Sequence, residues 1–330
     1  MAIDDAAGLL RRHWAIEGSL SVLPSERDRN FRVDVEGDPR YVLKVANLAE
    51  DATFLDLQDR VMTHVAGSAA ICQRPVPATD GRLVIGAGDD AGPPLVRLLT
   101  WLPGVALAEV PIGRRTPGLF RDLGGAVARL SILVDAADAG ELDREFQWDV
   151  LRHEIVIGDH ADAVDGRSRR EVVAAIRRRL RTTLAPTLDD LPRSLIHNDA
   201  NDHNVLVDAR RQTVTGFLDF GDMVHSVTVN EAAVAAAYAL LGAARPLDVV
   251  ACVAQGFGSV RTFSPLEQAT VFELVIARLA TSVVLSAHQA RLDPSDPYLW
   301  ISEAPAWAAL ERLMAIDPDT ARDAIAAATR

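Results

Sequence analysis

Short runs of apolar residues, several of them alternating with polar ones, mark the first hundred residues and predict β-strands. Four runs form two expected antiparallel pairs: 31–35 (F-R-V-D-V), 41–45 (Y-V-L-K-V), 81–86 (G-R-L-V-I-G) and 94–101 (P-L-V-R-L-L-T-W). The sequence E-G-D-P supplies the turn of the first pair, and Asp80-Gly81 marks another turn. Between the two pairs, residues 51–66 carry apolar side chains at helical spacing, which predicts one helix.

After Pro103-Gly104 the pattern changes to long stretches with helical periodicity, mostly Ala, Leu and Val against Arg and Glu. These stretches are 119–137, 145–160, 168–185, 229–242, 247–256, 265–289 and 303–314. The window 194–220 differs, because its short apolar runs end in polar residues and predict short strands joined by a loop. The expected architecture is α+β and bilobal, with a small antiparallel β N-lobe (1–97), a hinge (98–104) and a larger, mainly helical C-lobe (105–330).

Charge and composition exclude several classes of protein. The chain has 330 residues and a net charge of −12, which is the wrong sign for coating nucleic acid or an anionic membrane. Two distant cysteines and an acidic N-terminus without a signal pattern favour a reduced, cytoplasmic location. The apolar stretch 265–289 contains four charged or titratable residues, which favours a buried helix over a membrane span. We expect a monomer or homodimer with no nucleic-acid or membrane partner.

The densest polar cluster is 197–204, H-N-D-A-N-D-H-N, followed by the apolar run V-L-V-D. Asp199 and Asn204 are five residues apart. In the catalytic loop of protein kinases an Asp accepts the proton of the substrate hydroxyl, and an Asn five residues later binds Mg²⁺. Downstream, Asp219 begins the sequence D-F-G at the end of a predicted strand and is the second candidate ligand. Carboxylate and amide oxygens suit Mg²⁺, which completes its coordination with water and phosphate oxygens.

Lys44 is the only lysine among 34 basic residues, and it lies in the second predicted strand. In a kinase-like lobe this strand provides the Lys that holds the α- and β-phosphates and pairs with an acid on the next helix. Asp56 is the preferred acid, with Glu50 and Asp51 as alternatives. A compact ammonium at this one position suits a crowded site, since Lys and Arg are not interchangeable there.

Taken together, these motifs resemble those of the aminoglycoside phosphotransferase and choline kinase superfamily, which has a protein-kinase-like fold. Within it the chain is most similar to the hydroxylysine kinase group. The segments that carry the resemblance are 23–33, 41–45, 55–58, 197–207, 216–223, 278–289 and 293–299. They span nearly the full length of the chain.

The resemblance implies a kinase that transfers the γ-phosphate of ATP or GTP, with Mg²⁺, to the hydroxyl of a small molecule. The favoured acceptor is a hydroxylated amino acid such as 5-hydroxylysine. Aminoglycosides, homoserine and choline are the alternatives, and a catalytically silent binding module is the alternative of another class. The segment 23–33 contains no glycine, and its Ser25, Arg27 and Asn30 are candidates to contact phosphate.

Several residues keep two interpretations. His197 either braces the loop or acts in catalysis, and bracing is favoured; with His203 it also fits a transition-metal site, which leaves Lys44 and Asp219 unexplained. Asn198 stands where relatives often have Gly, a departure expected to matter little because the position need not be Gly sterically. The candidate residues for binding the acceptor are Asp202, Asp222 and Tyr238, with Tyr298 and Trp300. The hinge backbone at Thr100 and Leu102 is the candidate for binding the purine. Asp222 could instead cap the helix that begins near residue 228 or brace the loop.

Overall fold

The computed structural model describes residues 1–25, 28–87, 92, 94–137, 142, 144–292 and 303–330. Its backbone contacts divide the chain into two units, one of which is Met1–Pro103 while the other begins at Gly104. The predicted hinge, 98–104, overlaps the last strand of the first unit, which ends at Thr100. Residues 101–103 then follow without regular secondary structure.

A six-stranded antiparallel sheet forms the centre of the first unit. The elements of this unit are α1 (Ile3–Trp14), β1 (Ser19–Leu23), β2 (Arg29–Val35), β3 (Asp38–Val45), α2 (Ala52–Ser68), β4 (Pro75–Val76), β5 (Ile85–Gly86) and β6 (Leu95–Thr100). The strand order is β1-β2-β3-β6-β4, and β5 also pairs with β6. The predicted hairpin and the predicted second strand pair are therefore confirmed.

Helix α1 was not predicted, although its sequence carries the signal. Its buried residues Ala6, Leu9, Leu10 and Trp14 have helical spacing, and they pack against β2, β3 and β6. Helix α2 begins after Asp51, whose side chain accepts the N–H of Thr53 at 3.0 Å as an N-cap. The expectation of one helix in this part of the chain was wrong, because the sheet needs an apolar cover on the α1 face.

Helices dominate the second unit, which also contains two small sheets. The elements in chain order are β7 (Val105–Ala106), α3 (Pro117–Asp135), α4 (His153–His160), α5 (Arg167–Thr183), β8 (Arg193–Ile196), β9 (Val205–Asp208), β10 (Thr213–Phe217), β11 (Val224–Val227), α6 (Asn230–Ala239), α7 (Pro246–Gly258), α8 (Pro265–Leu292), α9 (Glu303–Met314) and α10 (Pro318–Ala328). One sheet has the order β10-β9-β7, and the other pairs β11 with β8. These strands present the polar loops on which the candidate site is built.

Most predicted helices are confirmed within a few residues, with two differences. The stretch 145–160 forms a helix only from His153, since Asp149 caps a short 3-10 turn by accepting the N–H of Leu151. Helix α10 was not predicted, although Asp317 is its N-cap and Pro318 its first residue.

Helix α8 has the length and composition of a membrane span. Its most apolar window has a mean hydropathy of 1.7, and 94% of that window is buried inside the protein. It packs against α4, α5, α6, α9 and α10. The helix is thus the central core helix of the second unit.

Glycines allow α3 and α7 to approach closely. A Cβ atom at Gly124 would collide with the carbonyl oxygen of Val253, and one at Gly256 would collide with that of Arg121. Both collisions are with backbone atoms of the facing helix, which cannot move aside. The contact between the two helices therefore requires glycine at both positions.

Candidate active site

The loop between β8 and β9 carries the densest group of polar side chains, and Asp199 lies at its centre. Asn204 donates its Nδ2 to the Asp199 carboxylate Oδ2 at 2.6 Å and to the Asp199 carbonyl oxygen at 3.1 Å. Asn201 donates its Nδ2 to Asp199 Oδ1 at 2.9 Å, while its Oδ1 accepts the N–H groups of His203 and Asn204. The five-residue spacing therefore closes the loop on itself and orients the Asp199 carboxylate.

A guanidinium group from the core helix α8 also holds Asp199. Arg278 Nη2 lies 3.0 Å from Asp199 Oδ1, and the Arg278 side chain is 4% exposed. Burial raises the pKa of Asp199 well above its ordinary value, and the negative charge of Asp222 adds to this, while Arg278 opposes it. Asp199 is thus a more basic carboxylate than a solvent-exposed aspartate.

His197 connects this loop to the segment that contains Asp219. Its Nε2–H donates to the carbonyl oxygen of Leu218 at 3.1 Å, and its Nδ1 accepts the N–H of Asp199 at 3.3 Å. The ring of Phe220 meets it edge-on at 4.7 Å between centroids. Burial lowers the pKa of His197 to about 4, so the ring is neutral near pH 7. These contacts support the bracing interpretation of His197.

Glu231 fixes the backbone on the other side of the loop, and sequence reasoning did not identify it. Its Oε1 accepts the N–H of His197 at 2.6 Å, and its Oε2 accepts the N–H of Asn198 at 3.2 Å. Burial raises the pKa of Glu231 to about 7. The charged position at the start of the alanine-rich helix α6 is the signal that could have revealed it.

Asn198 adopts a left-handed backbone conformation with φ of 63°. The expectation that this position need not be Gly sterically was therefore incomplete, because it has the conformation that glycine adopts without strain. Asparagine tolerates it better than most residues. The side chain is held by Asn230, whose Nδ2 donates to Asn198 Oδ1 at 3.1 Å.

Asp219 lies at the end of the hairpin formed by β9 and β10. The N–H of Leu218 donates to the carbonyl oxygen of Asn204 at 2.8 Å, so the candidate metal ligands Asn204 and Asp219 flank the same end of the hairpin. Asp219 has φ of 57°, and its Oδ1 accepts the N–H of Gly221 at 3.1 Å. Arg144 Nη1 donates to the carbonyl oxygens of Gly221 and Met223, which anchors this segment.

Two aromatic rings hold the Arg278 guanidinium. Its central carbon lies 4.4 Å from the ring centroid of Trp148 and 5.4 Å from that of Tyr238. Its Nε donates to the Tyr238 hydroxyl at 3.3 Å. The structure therefore brings the predicted Tyr238 close to Asp199 through Arg278, the first residue of the 278–289 segment that carries the family resemblance.

The predicted acceptor residues Asp202 and Asp222 are both buried. The Asp202 carbonyl oxygen accepts the N–H of Ala108 at 2.8 Å, and in the described part of the chain its buried Oδ1 has no hydrogen-bond partner. Burial raises the pKa of Asp202, while His203 and Arg115 oppose this. The interpretation of Asp222 as a helix cap was wrong, because α6 starts after Val229 and has no side-chain cap.

In the first unit, Lys44 is the middle residue of a row across three strands. It lies opposite Asn30 of β2 and opposite Arg97 of β6. Because directly opposed residues of antiparallel strands share a face, the three side chains are neighbours. Lys44 Nζ is 3.5 Å from Asp28 Oδ2. The Asn30 Oδ1 is buried and has no hydrogen-bond partner among the described residues.

The acid that α2 buries on this face is Asp59 rather than Asp56. Asp59 pairs with Arg97 at 2.8 Å and is 1% exposed, whereas Asp56 is exposed one turn earlier. Burial raises the pKa of Asp59, and the positive charges of Arg97 and Lys44 oppose this. The structure thus favours Asp59 over Asp56 as the helix acid, and it also places Lys44 within ion-pair distance of Asp28.

The other predicted nucleotide contacts have different surroundings. Ser25 lines a cavity of about 800 Å³ at the tip of the β1–β2 hairpin, while Arg27 lies outside the described residues. The N–H of Thr100 donates to Arg74 and its carbonyl accepts from Gln73 Nε2, which argues against its predicted contact with a purine edge. Leu102 follows the strand, and its contact with the purine stays a prediction.

Tyr298 and Trp300 were also predicted to contact the acceptor. Both residues, and the 293–299 segment of the family resemblance, lie outside the described residues. Within the described ranges, no group of three or more His, Cys, Asp or Glu side chains is placed to hold a metal. Both ring nitrogens of His197 contact backbone atoms. These contacts do not favour the transition-metal alternative built on His197 and His203.

Comparisons with known proteins bear on the family and the fold. The family model described as "Phosphotransferase enzyme family" matches residues 19–266. Hydroxylysine kinase of Mus musculus is 29% identical over 88% of this chain and 83% of its own length. Among solved structures, a microcompartment-associated aminopropanol kinase has a TM-score of 0.66 at 17% identity, over 94% of this chain and 97% of its own. An amicoumacin kinase in complex with AMP-PNP and Ca²⁺ has a TM-score of 0.65 at 14% identity, over 91% of each chain.

The structural matches show the fold and confirm the predicted protein-kinase-like α+β architecture. The family match covers residues 19–266, three quarters of the sequence, and includes the Asp199 loop, Asp219 and Lys44. The chain belongs to the phosphotransferase enzyme family, and it is a small-molecule kinase that acts on a hydroxyl group.

Proposed function

We propose that this protein transfers the γ-phosphoryl group of ATP or GTP to the hydroxyl of a hydroxylated amino acid such as 5-hydroxylysine. The observation that carries the proposal is the Asp199 carboxylate, held between Asn201, Asn204 and Arg278. The acceptor class is supported by the mouse relative, whose name is hydroxylysine kinase. The nucleotide donor is supported by the amicoumacin kinase, which was solved with AMP-PNP.

Asp199 accepts a hydrogen bond from the acceptor hydroxyl and takes its proton as the phosphoryl group is transferred. Three donors fix the carboxylate, so its orientation costs no reorganisation during the reaction. The raised pKa of Asp199 brings its basicity nearer to neutral pH, where a general base is most effective.

Asn204 and Asp219 hold Mg²⁺ in this proposal. The donor set fits, since Asn204 directs its Nδ2 to Asp199 and thereby leaves its Oδ1 as the amide oxygen for a metal, while Asp219 adds an exposed carboxylate. Two oxygen ligands suit an ion that keeps water and binds phosphate oxygens. When bound, Mg²⁺ neutralises charge on the phosphates. His197 and Arg144 keep the two ligands in place through the backbone.

Lys44 steadies the α- and β-phosphates, and Asp59 is the helix acid that balances the positive charge of the Lys44–Arg97 pair. Asn30 has a buried side-chain oxygen beside Lys44, and together with Ser25 and Arg27 it is proposed to contact the nucleotide. A protein with a net charge of −12 has an unfavourable overall field for a polyanionic nucleotide. The attraction must therefore be local.

A screen of acceptors tests the proposal. The purified chain is incubated with ATP or GTP, Mg²⁺ and, in separate reactions, 5-hydroxylysine, homoserine, choline and an aminoglycoside, and nucleoside diphosphate release and the phosphorylated product are measured. We expect the highest kcat/KM with a hydroxylated amino acid. A higher kcat/KM with choline or an aminoglycoside would show that the proposed acceptor class is wrong. Nucleotide binding without phosphoryl transfer to any acceptor would favour a silent binding module.

A further inference from the structure

The Arg278 guanidinium has an unused donor next to Asp199. Its Nη2 donates to Asp199 Oδ1 and its Nε to the Tyr238 hydroxyl. In the part of the chain that the structure describes, its buried Nη1 has no hydrogen-bond acceptor. Arginine carries its donors in a rigid planar fork, so Nη1 lies along the same edge of the group as the nitrogen that holds Asp199.

This donor is shielded from bulk water. Trp148 and Tyr238 cover the guanidinium with their rings, and the whole residue is 5% exposed. A buried charged donor without an acceptor destabilises a protein, and native structures rarely keep one without a reason. Arg278 is moreover a charge inside the apolar core helix α8, where an uncharged residue would pack at less cost.

A bound acceptor molecule with an oxyanion would satisfy this donor. A carboxylate matches the planar fork of arginine and forms charge-assisted hydrogen bonds with it. Resting on the function proposed above, we propose that Nη1 of Arg278 binds the carboxylate of the acceptor amino acid while Nη2 holds Asp199. One side chain then places the acceptor and the base relative to each other.

The surrounding charges favour a zwitterion over a simple acid. The carboxylate of Asp199 contacts the Arg278 guanidinium at 3.0 Å, and the negative charge of Asp222 also acts on it, so two carboxylates already share one guanidinium. An acceptor with only a carboxylate would add a third negative charge, whereas the ammonium group of an amino acid offsets it.

The same aromatic residues argue against a quaternary ammonium acceptor. Aromatic faces bind such cations in cages, but Trp148 and Tyr238 already stack on the guanidinium of the protein's own Arg278. Among the proposed acceptors, this arrangement therefore favours hydroxylated amino acids over choline. Arg278 also lies beyond residues 19–266, the range that the family model matches.

Acceptor pairs that differ only in the carboxylate test the proposal without changing the protein. The pairs are 5-hydroxylysine against its decarboxylated amine, and homoserine against 3-aminopropanol. We expect the carboxylated member to have a kcat/KM roughly 10- to 100-fold higher, the range for one charge-assisted hydrogen bond. Equal values for both members of each pair would overturn the proposal.

Substitution of the arginine supplies the second arm. Arg278→Gln removes the charge and Arg278→Lys keeps it without the fork. In both variants the ratio of kcat/KM for the carboxylated member to that for the decarboxylated member should fall toward one. The fall should be larger for Arg278→Gln. Arg179→Lys is the matched control, since the Arg179 side chain is 11% exposed, pairs with Glu273 and stacks on Phe272 away from Asp199. It should leave this ratio unchanged.

The combined results distinguish a failed subsite from a failed function. If Arg278 variants slow both members of a pair equally, Arg278 acts only on Asp199 or on the transferred phosphoryl group, and the carboxylate subsite is wrong. If 5-hydroxylysine and homoserine are inert but another hydroxy acid is phosphorylated with the same dependence on Arg278, the subsite stands and the proposed acceptor class falls. If only acceptors without a carboxylate react, both are wrong.

Discussion

Replacing Glu231 with Gln tests how the catalytic loop is held, and its effect on stability depends on pH. The Glu231 carboxylate is fully buried and accepts the backbone N–H groups of His197 and Asn198. Burial raises its pKa from an ordinary value of 4.5 to about 7. The folded protein therefore holds the Glu231 proton more tightly than the unfolded chain does. The resulting stabilisation is complete below pH 4.5 and is lost as the pH rises through 7.

The size of the effect follows from the two pKa values. Integrating proton binding from pH 5 to pH 8.5 with pKa values of 4.5 and about 7 gives a loss of about 2.5 kcal/mol in the wild type. Glutamine does not titrate, so Glu231→Gln lacks this loss. The free energy of unfolding of Glu231→Gln minus that of the wild type should therefore rise by about 2.5 kcal/mol over this pH range.

Urea unfolding followed by circular dichroism at each pH measures this difference directly. His197 titrates with the opposite sign, because burial lowers its pKa to about 4 and its contribution is lost as the pH falls through 6.5 toward 4. Since His197 is present in both proteins, its contribution cancels in the comparison. A difference that stays constant within about 0.5 kcal/mol would refute the assignment of a raised pKa to Glu231.

Three further substitutions test other parts of the structure. Lys44→Arg should lower kcat/KM for the nucleotide roughly tenfold or more in steady-state assays, because the bulkier guanidinium does not replace the ammonium beside Asn30. A near-normal kcat/KM would contradict the role of Lys44. Asp222→Asn should move the acid limb of the kcat/KM profile to lower pH, because it removes a charge that raises the pKa of Asp199; an unmoved limb would count against Asp199 as the base. Gly256→Ala should lower the free energy of unfolding by about 1–3 kcal/mol or more, because the added Cβ makes α7 collide with α3. The control Gly67→Ala lies in open space on α2 and should leave the free energy of unfolding equal or slightly higher. An equal loss in both variants would refute the packing argument.

The fold could be predicted to the extent that each element carries its own pattern. The helices after residue 117 and the hairpin around Lys44 have clear periodicity, and the structure contains them. Helix α1 and helix α10 carried the same kind of signal and were overlooked. The start of α4 was less accessible, because a 3-10 turn capped by Asp149 precedes the helix. Such caps depend on single hydrogen bonds, which periodicity does not reveal.

The candidate site shows a sharper division. Asp199, Asn204 and Asp219 lie within short motifs, so their spacing identified them. Arg278 and Glu231 lie far along the chain from the loop that they hold, and only the packing of α6 and α8 brings them to it. The signals in the sequence were a charged residue within an apolar helix and, for Arg278, its place in the 278–289 segment that carries the family resemblance. These signals indicate a buried charge but not its partner.

The helix acid of the first unit illustrates the same limit. Residues 56 and 59 both carry a carboxylate and differ by one helical turn. The orientation of α2 on the sheet decides which of them is buried, and it buries Asp59 beside Arg97. The sequence pointed to Asp56, with Glu50 and Asp51 as alternatives, and Asp59 was not among the candidates.

The most direct measurement for the central claim compares the wild type with Asp199→Asn. Asparagine keeps the size of the side chain but cannot accept the proton of the acceptor hydroxyl. The account predicts that the dissociation constant for the nucleotide, measured by calorimetry with Mg²⁺, changes little. The kcat for phosphoryl transfer to 5-hydroxylysine should fall about 10²- to 10⁴-fold. Turnover by Asp199→Asn within a few-fold of the wild type would contradict Asp199 as the base.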